Sequence, residues 1–288
     1  MVAHSPTVCR AYAKINLGLL VTGKRGDGFH DIVTVFHRVA LADTIRLERS
    51  AAITVRSSDP RAPSGETNIC HAAARLVAAA VGSADGVTVD ILKEIPVGGG
   101  LGGGSADAAA VLRELPRLWG TEIPPPALEA IALRLGSDVP YFLRPGSALG
   151  TGRGEILEYF PLDVPFAILV CTPHVHVSTA WAYAQIVPRT RPGVDLRAVL
   201  ESGFGDTSLL GERLVNDFEE PVFRRYPAIG EIKRRLLGAG ALFASLSGSG
   251  SSVYALFRGV AEAEMARAEF PPADCLTSVT PPSWRESP

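Results

Sequence analysis

The sequence predicts an α+β protein built as two mixed halves joined near residue 155. Three observations carry that expectation. Residues 7 to 21 alternate with the period of a strand, Ala11, Ala13, Ile15, Leu17 and Leu19 on one face and Tyr12, Lys14, Asn16 and Gly18 on the other. A glycine-rich loop then lies tightly between a strand pattern and a helix pattern, and the second half again mixes strands with helical stretches. No internal repeat is visible.

In order along the chain, a turn at Gly26-Asp27-Gly28 follows the first strand, and a second apolar strand runs from Ile32 to Val39. Ile45 and Leu47, then Ile53 and Val55, read as a further hairpin. Asn68 is the expected N-cap of a helix through Leu76 and Val81. Val87, Val89 and Ile91 alternate as a strand, and Ala108, Val111, Leu112 and Leu115 share one helical face. Pro116 is expected to end or kink that helix near Leu115. Prolines 124 to 126 start another helix, running to about Leu135. In the second half, Phe166 to Val170 is a strand, and helical stretches lie near Ala180 and Asn216 and from about Tyr226 to Leu237. Ala241 to Ser252 reads as a strand with a Gly/Ser turn, Val253 to Phe257 as a strand, and the chain to about Phe270 as a helix. The proline-rich tail from Pro271 is expected to end as a loose surface segment.

The most informative stretch is Pro96-Val97-Gly98-Gly99-Gly100-Leu101-Gly102-Gly103-Gly104-Ser105-Ala106-Asp107. Each glycine loses extra backbone entropy on ordering, so such a run needs a reason. A wrapped backbone with its N–H groups turned inward is one, because it holds phosphate. Ser105 is the expected N-cap of the following helix, whose positive end would face whatever the loop holds. The segment is not a Walker A loop, which closes on Gly-Lys-Ser/Thr. It is a poor dinucleotide fingerprint too, since no acidic residue stands about 20 residues on, where Pro124-Pro125-Pro126 and Ala127 lie. A flexible linker is the bland alternative.

Composition narrows the classes. The 288 residues are 47% hydrophobic and 20% charged, enough for packed cores in one large or two medium domains. With 28 basic against 30 acidic residues there is no electrostatic footprint for nucleic acid and nothing that asks for a membrane surface. Cys9, Cys70, Cys171 and Cys275 lie far apart, which argues against a zinc site and suits buried thiols of a reducing compartment. No signal-peptide order and no membrane-length apolar run is present, so a soluble cytoplasmic protein is expected.

Several other positions carry two readings. Lys14 and Asn16 present an ammonium and an amide on one strand face, which is either a solvated sheet face or a functional pair. Asp138, in Gly136-Ser137-Asp138-Val139-Pro140, is either a cap or turn residue or a base, and Pro140 should force Val139 into an extended conformation. Phe29 and His30 either plug a core edge and sit in solvent, or stack on and hydrogen-bond a flat heterocycle. Ser247-Gly248-Ser249-Gly250-Ser251-Ser252 is either loop punctuation or a place of close backbone approach.

Taken in order, Ala13-Lys14-Ile15-Asn16-Leu17, Arg25-Gly26-Asp27-Gly28-Phe29-His30, the loop at 96 to 105, Gly136-Ser137-Asp138-Val139-Pro140, Asn216-Asp217-Phe218-Glu219 and the turn from Leu246 to Ser251 resemble the galactokinase, homoserine, mevalonate and phosphomevalonate kinase superfamily. The likeness runs from about residue 10 to about 258 and is greatest to the branch that phosphorylates a cytidine diphosphate-linked polyol. The resemblance implies a ribosomal-S5-like N-terminal half (1–155) carrying ATP and a ferredoxin-like C-terminal half (156–288) contributing to the substrate pocket, with the active site in the cleft between them. It implies Asp138 as catalytic base with Lys14 beside it, and Asn16 holding the acceptor end. Phe29 and Tyr183 would sandwich cytosine, His30 would hydrogen-bond it, and Thr179 would line the same pocket. Pro96, Gly98, Gly99, Gly100, Leu101, Gly102, Gly103, Gly104, Ser105 and Asp107 would wrap the ATP phosphates, with Asn68 and Lys93 towards the adenosine. Mg²⁺ is implied with ATP, with ligands the sequence does not name, and the chain would act as a monomer or homodimer. Ala106 stands where the family commonly has Ser, and Phe29 where it frequently has Tyr. Acceptors of sister kinases (mevalonate, homoserine or a sugar) and a non-catalytic ligand-binding member of the fold are the alternatives.

Overall fold

The computed structural model describes residues 5–188 and 194–286. Contacts divide the chain into two compact units: one holds the chain up to Ala13, Ala42–Val97 and Gly102–Pro145, and the other Lys14–Leu41, Gly98–Leu101 and the chain from Gly146 onward. Two long strands run through both, β1 (Thr7–Lys24) and β2 (His30–Ser50).

In the first unit the end of β2 is joined by β3 (Thr54–Ser57), α1 (Ile69–Val81), β4 (Gly86–Leu92), α2 (Gly103–Trp119) and α3 (Pro125–Leu135). β4 pairs antiparallel with β2 over Thr44–Ser50 and parallel with β3. The expected hairpin between residues 45–47 and 53–55 is therefore replaced by a shared neighbour: Val87, Val89 and Ile91 of β4 insert between them and bury their side chains. α1 and α2 pack on each other through Cys70, Ala73, Ala74 and Val77 and through the alanines and Leu112 of α2. Asn68 caps α1 as expected, its side chain accepting from Cys70 N. α2 starts two residues before Ser105, with Gly102 as N-cap at φ 71°, so Ser105 lies in the first turn. It also runs past Pro116 to Trp119, because only its last turn lies beyond the proline and Leu115, Pro116 and Trp119 are all buried. Val139 is helical, at φ −62° and ψ −41°, rather than extended. The buried run Val139, Pro140, Tyr141 and Phe142 forms a 3₁₀ turn whose packing outweighs the pre-proline preference.

In the second unit β5 (Ser147–Thr151) pairs with β2 over Thr34–Phe36 and with β6 (Ile156–Phe160). β7 (Ala167–Pro173) follows, then α4 (Thr179–Ala184), α5 (Leu196–Gly203), α6 (Thr207–Arg213), α7 (Glu219–Arg225) and α8 (Pro227–Gly238). β8 (Phe243–Leu246), β9 (Val253–Phe257), α9 (Val260–Arg267) and β10 (Cys275–Thr280) complete it. These strands form an antiparallel sheet in the order β10-β7-β9-β8. Its core joins Leu169, Cys171, Val253 and Phe257 to Phe218, Ile229, Ile232 and Leu236 of the helical side. The tail is not loose: β10 completes the sheet edge, and Glu286 forms an ion pair with the buried Arg38 and accepts from Gly146 N. Among the described residues no helix is long and apolar enough to cross a membrane.

Candidate active site

β1 brings two polar side chains into the interior on the face opposite its apolar set. Lys14 is 4% exposed and Asn16 1%, so the solvated-face reading fails. Lys14 Nζ donates to Asn16 Oδ1 at 2.7 Å and to Gly100 O at 3.2 Å, and lies 5.4 Å from the centre of the Phe36 ring. Asn16 Nδ2 donates to Thr34 Oγ1 at 2.9 Å, and Thr34 Oγ1 donates to Gly18 O at 2.6 Å. The amide oxygen is thereby left for the ammonium, which a buried lysine needs as compensation for lost water.

The glycine loop is held by its carbonyls. Lys14 N donates to Leu101 O and Ser252 N to Gly99 O, each at 3.0 Å, while Ser247 Oγ donates to Gly100 O at 3.2 Å. In a trans peptide the N–H points opposite to the C=O. The N–H groups of Gly100 and Leu101 are consequently turned away from the protein donors that hold the loop. A Cβ on Gly100, at φ 78°, would fall 2.4 Å from Ser247 O and 2.9 Å from Gly250 O. Only glycine permits this approach of two backbones. The Gly/Ser turn after β8 is thus a brace for the loop rather than punctuation. Asn216 sets that brace, Nδ2 donating to Leu246 O at 2.8 Å and Gly248 O at 2.9 Å. Thr179 Oγ1 lies 3.1 Å from Ser249 Oγ.

In the first unit the chain passes from Gly102 into α2. Among the described residues the N–H groups of Gly103, Gly104 and Ser105 have no protein acceptor, the ordinary state of a first helical turn. Such a turn suits an anionic oxygen. Asn68 Nδ2 donates to Pro63 O at 2.7 Å while Oδ1 caps α1. Lys93 Nζ sits between the carboxylates of Asp43 and Asp107. Pro96 is buried just before the loop, and Asp138 is half-buried between α3 and the 3₁₀ turn. Burial pulls the Lys93 ammonium down, but Asp107 and Asp43 outweigh it and hold it above its ordinary value.

The aromatic residues are arranged differently from a simple pair. His30 stacks on Tyr183 at 5.1 Å, Tyr183 meets Phe218 edge-on at 4.8 Å, and the Arg153 guanidinium covers Phe29 at 4.9 Å. Phe29 itself is 52% exposed. Burial, then Lys24, pushes His30 below its ordinary value, favouring the neutral ring. Asp43 and Arg153 were not read from the sequence. A lone carboxylate among the strand residues Leu41, Ala42 and Ile45 was the available signal for the first, and the second had none. Among the described residues no three His, Cys, Asp or Glu side chains group as a metal cage, so no protein ligand is assigned to Mg²⁺.

This chain, with its glycine-rich loop held by a buried lysine and its separate antiparallel sheet, is a kinase of the GHMP class. Residues 68–146 match the GHMP kinases N terminal domain model and residues 196–271 the GHMP kinases C terminal model. Curated relatives named 4-diphosphocytidyl-2-C-methyl-D-erythritol kinase include one from Chlorobium luteolum, 42% identical over 95% of this chain and 96% of its own. Another, from Chlorobium chlorochromatii, is 43% identical over 94% and 95%. A solved 4-(cytidine 5'-diphospho)-2C-methyl-D-erythritol kinase superposes with a TM-score of 0.81 at 33% identity, covering 96% of this chain and all of that one. A homoserine kinase from Cytophaga hutchinsonii, at TM-score 0.70 and 22% identity over 96% and 95%, shares the fold. The chain belongs to the 4-diphosphocytidyl-2-C-methyl-D-erythritol kinase family, whose members are ATP-dependent kinases of isoprenoid precursor synthesis.

Proposed function

We propose that this protein transfers the γ-phosphoryl group of ATP to the 2-hydroxyl of 4-diphosphocytidyl-2-C-methyl-D-erythritol, giving the 2-phosphate and ADP. The observation that carries the reading is the Lys14 ammonium, buried, shared between Asn16 Oδ1 and the loop carbonyl of Gly100. A fixed positive charge tied to a phosphate loop is what phosphoryl transfer asks of a protein, since its transition state spreads charge over the equatorial oxygens.

In the proposed mechanism Gly98 to Ser105 hold the ATP phosphates through backbone N–H groups, and Lys14 compensates charge on the moving phosphoryl group. The acceptor oxygen attacks the γ-phosphorus, the bond to the β–γ bridging oxygen breaks, and ADP carries away that electron pair. Asp138 takes the hydroxyl proton late, once the oxygen has begun to bond to phosphorus and become acidic. Asn16 orients the acceptor end, and Phe29, His30, Thr179 and Tyr183 receive the cytidine. Asn68 and Lys93 lie on the adenosine side, Lys93 through its stem and main chain because its ammonium is already paired. Mg²⁺ bound to ATP would supply neutralisation of phosphate charge, and no residue of this chain is assigned to hold it. The half spanning 1–155 carries ATP and that spanning 156–288 contributes to the acceptor pocket.

The test is an ADP-release assay offering 4-diphosphocytidyl-2-C-methyl-D-erythritol, mevalonate and homoserine in parallel. The expected kcat/KM favours the cytidine-linked acceptor by about 100-fold or more, because a site built to bind a base loses those contacts with either alternative. Equal or reversed preference would overturn the assignment.

A further inference from the structure

One buried charged cluster enters the mechanism just given only through the stem and main chain of Lys93, and its charges have no part in it. Asp43, on β2, is fully buried; its Oδ1 accepts from Glu94 N at 2.6 Å and Ile95 N at 2.8 Å, and its Oδ2 meets Lys93 Nζ. Lys93 Nζ in turn donates to Asp107 Oδ2 at 2.8 Å, on the second turn of α2. The far oxygen, Asp107 Oδ1, is buried with no hydrogen-bond partner. Beside this chain of charges stands Gly103, the first residue of α2: a Cβ there would lie 3.3 Å from Lys93 Nζ and 2.9 Å from Ile95 Cγ2. Two carboxylates and one ammonium, all out of water, are costly to assemble and strongly destabilising to break. Burial, with Asp43 close by, pushes the Asp107 carboxyl up even against the pull of Lys93, as that cost requires. A fold that needed only apolar packing here had leucine and valine available.

We propose that Asp43 is a positioning residue for ATP: through Lys93 and Asp107 it pins the start of α2 to the segment after β4 and so sets the aim of the N–H groups at Gly103, Gly104 and Ser105. The cluster brackets the phosphate loop, with Lys93 to Ile95 before it and Gly103 to Asp107 after it. Its rigidity fixes both ends of a glycine run that has little stiffness of its own. This rests on the reading of the loop as the phosphate cradle.

Steady-state kinetics, titration with a non-hydrolysable ATP analogue and thermal unfolding of Asp43→Asn, Asp107→Asn and Gly104→Asp test it together. Asp43→Asn keeps an acceptor for both backbone N–H groups but removes the charge. Its ATP KM should rise about tenfold or more, in line with the cost of misplacing a binding group, while the acceptor KM stays within about twofold. Asp107→Asn, which keeps the shape of the cluster, should raise the ATP KM by about threefold or more, and carries the test if Asp43→Asn does not fold. A lower Tm with unchanged ATP KM and analogue affinity in the folded variants would overturn the proposal. Gly104→Asp separates this from the cradle reading. Gly104 is exposed, with only Ile69 Cγ2 within 4 Å of its Cβ position, at 3.9 Å, so an added carboxylate suits the helix start but repels phosphate. A raised ATP KM in Gly104→Asp with flat Asp43→Asn and Asp107→Asn removes Asp43 from ATP positioning alone. Flat behaviour in all three removes the cradle with it.

Discussion

The Lys14 ammonium lies 2.7 Å from the Asn16 carboxamide oxygen, two residues along the same strand, with both side chains buried. The amide is itself fixed by Thr34, so the lysine has one preferred position. Lys14→Met keeps the stem and deletes the charge. It should lower kcat by about 10²-fold or more, the usual cost of losing a charge-stabilising group. Near-native turnover in a folded Lys14→Met protein would remove the ammonium from the chemistry.

Asp138 stands between the end of α3 and a buried 3₁₀ turn, so its backbone is held by packed neighbours on the C-terminal side. Asp138→Asn should cut kcat by about 10²-fold or more with ATP KM changed by no more than about threefold, as expected for a group acting on the proton and not on nucleotide binding. An ATP KM that rises while kcat holds would assign Asp138 to nucleotide binding instead.

Tyr183 has one neighbour stacked on its ring, His30, and another, Phe218, against it edge-on. Aromatic stacking on a nucleobase contributes about 1–3 kcal/mol, so Tyr183→Ala should raise the acceptor KM by about tenfold and leave the ATP KM within about twofold. If the ATP KM rises instead, Tyr183 faces the nucleotide and not the acceptor.

Acid sensitivity has an identifiable source in His37, buried with Nδ1 2.8 Å from Ser147 Oγ. Burial pushes this imidazole down from 6.5 to about 4. Between those values the unfolded chain binds a proton that the folded one refuses, so stability falls as pH drops from about 6.5 towards about 4. The full difference is about 3 kcal/mol. Urea unfolding at pH 7 and at pH 4 should show the wild type losing more stability than His37→Gln by roughly that amount. Equal losses would mean that other groups carry the acid limb.

Much of the framework was legible from local pattern. The strand period of residues 7 to 21, the Asn68 cap, the Gly-rich loop between strand and helix, and α3 after three prolines all rest on near neighbours. What escaped the sequence depends on partners distant in it. β2 reads as two pieces because Arg38 and Asp43 interrupt its apolar pattern; the structure buries both against Glu286 and Lys93, 248 and 50 residues away. The same holds for the tail, where β10 owes its strand form to β7 rather than to its own sequence. Lys14 and Asn16 were visible as a pair but not as a buried one, since burial of a polar strand face depends on what the rest of the chain lays over it. Ser105 looked like a cap because serine favours that position. Gly102 takes it instead because the chain enters α2 with a positive φ that serine avoids.

Phosphoryl transfer to one particular oxygen is read directly by the ³¹P spectrum of the product. The 2-carbon of a 2-C-methyl polyol bears no hydrogen, so a phosphate on its oxygen has no carbinol proton three bonds away. With ATP, Mg²⁺ and 4-diphosphocytidyl-2-C-methyl-D-erythritol, one new phosphomonoester signal is expected, a singlet without proton coupling, beside an intact diphosphate pair and an equivalent of ADP. A monoester split by a carbinol proton, or ADP appearing with inorganic phosphate alone, would contradict it.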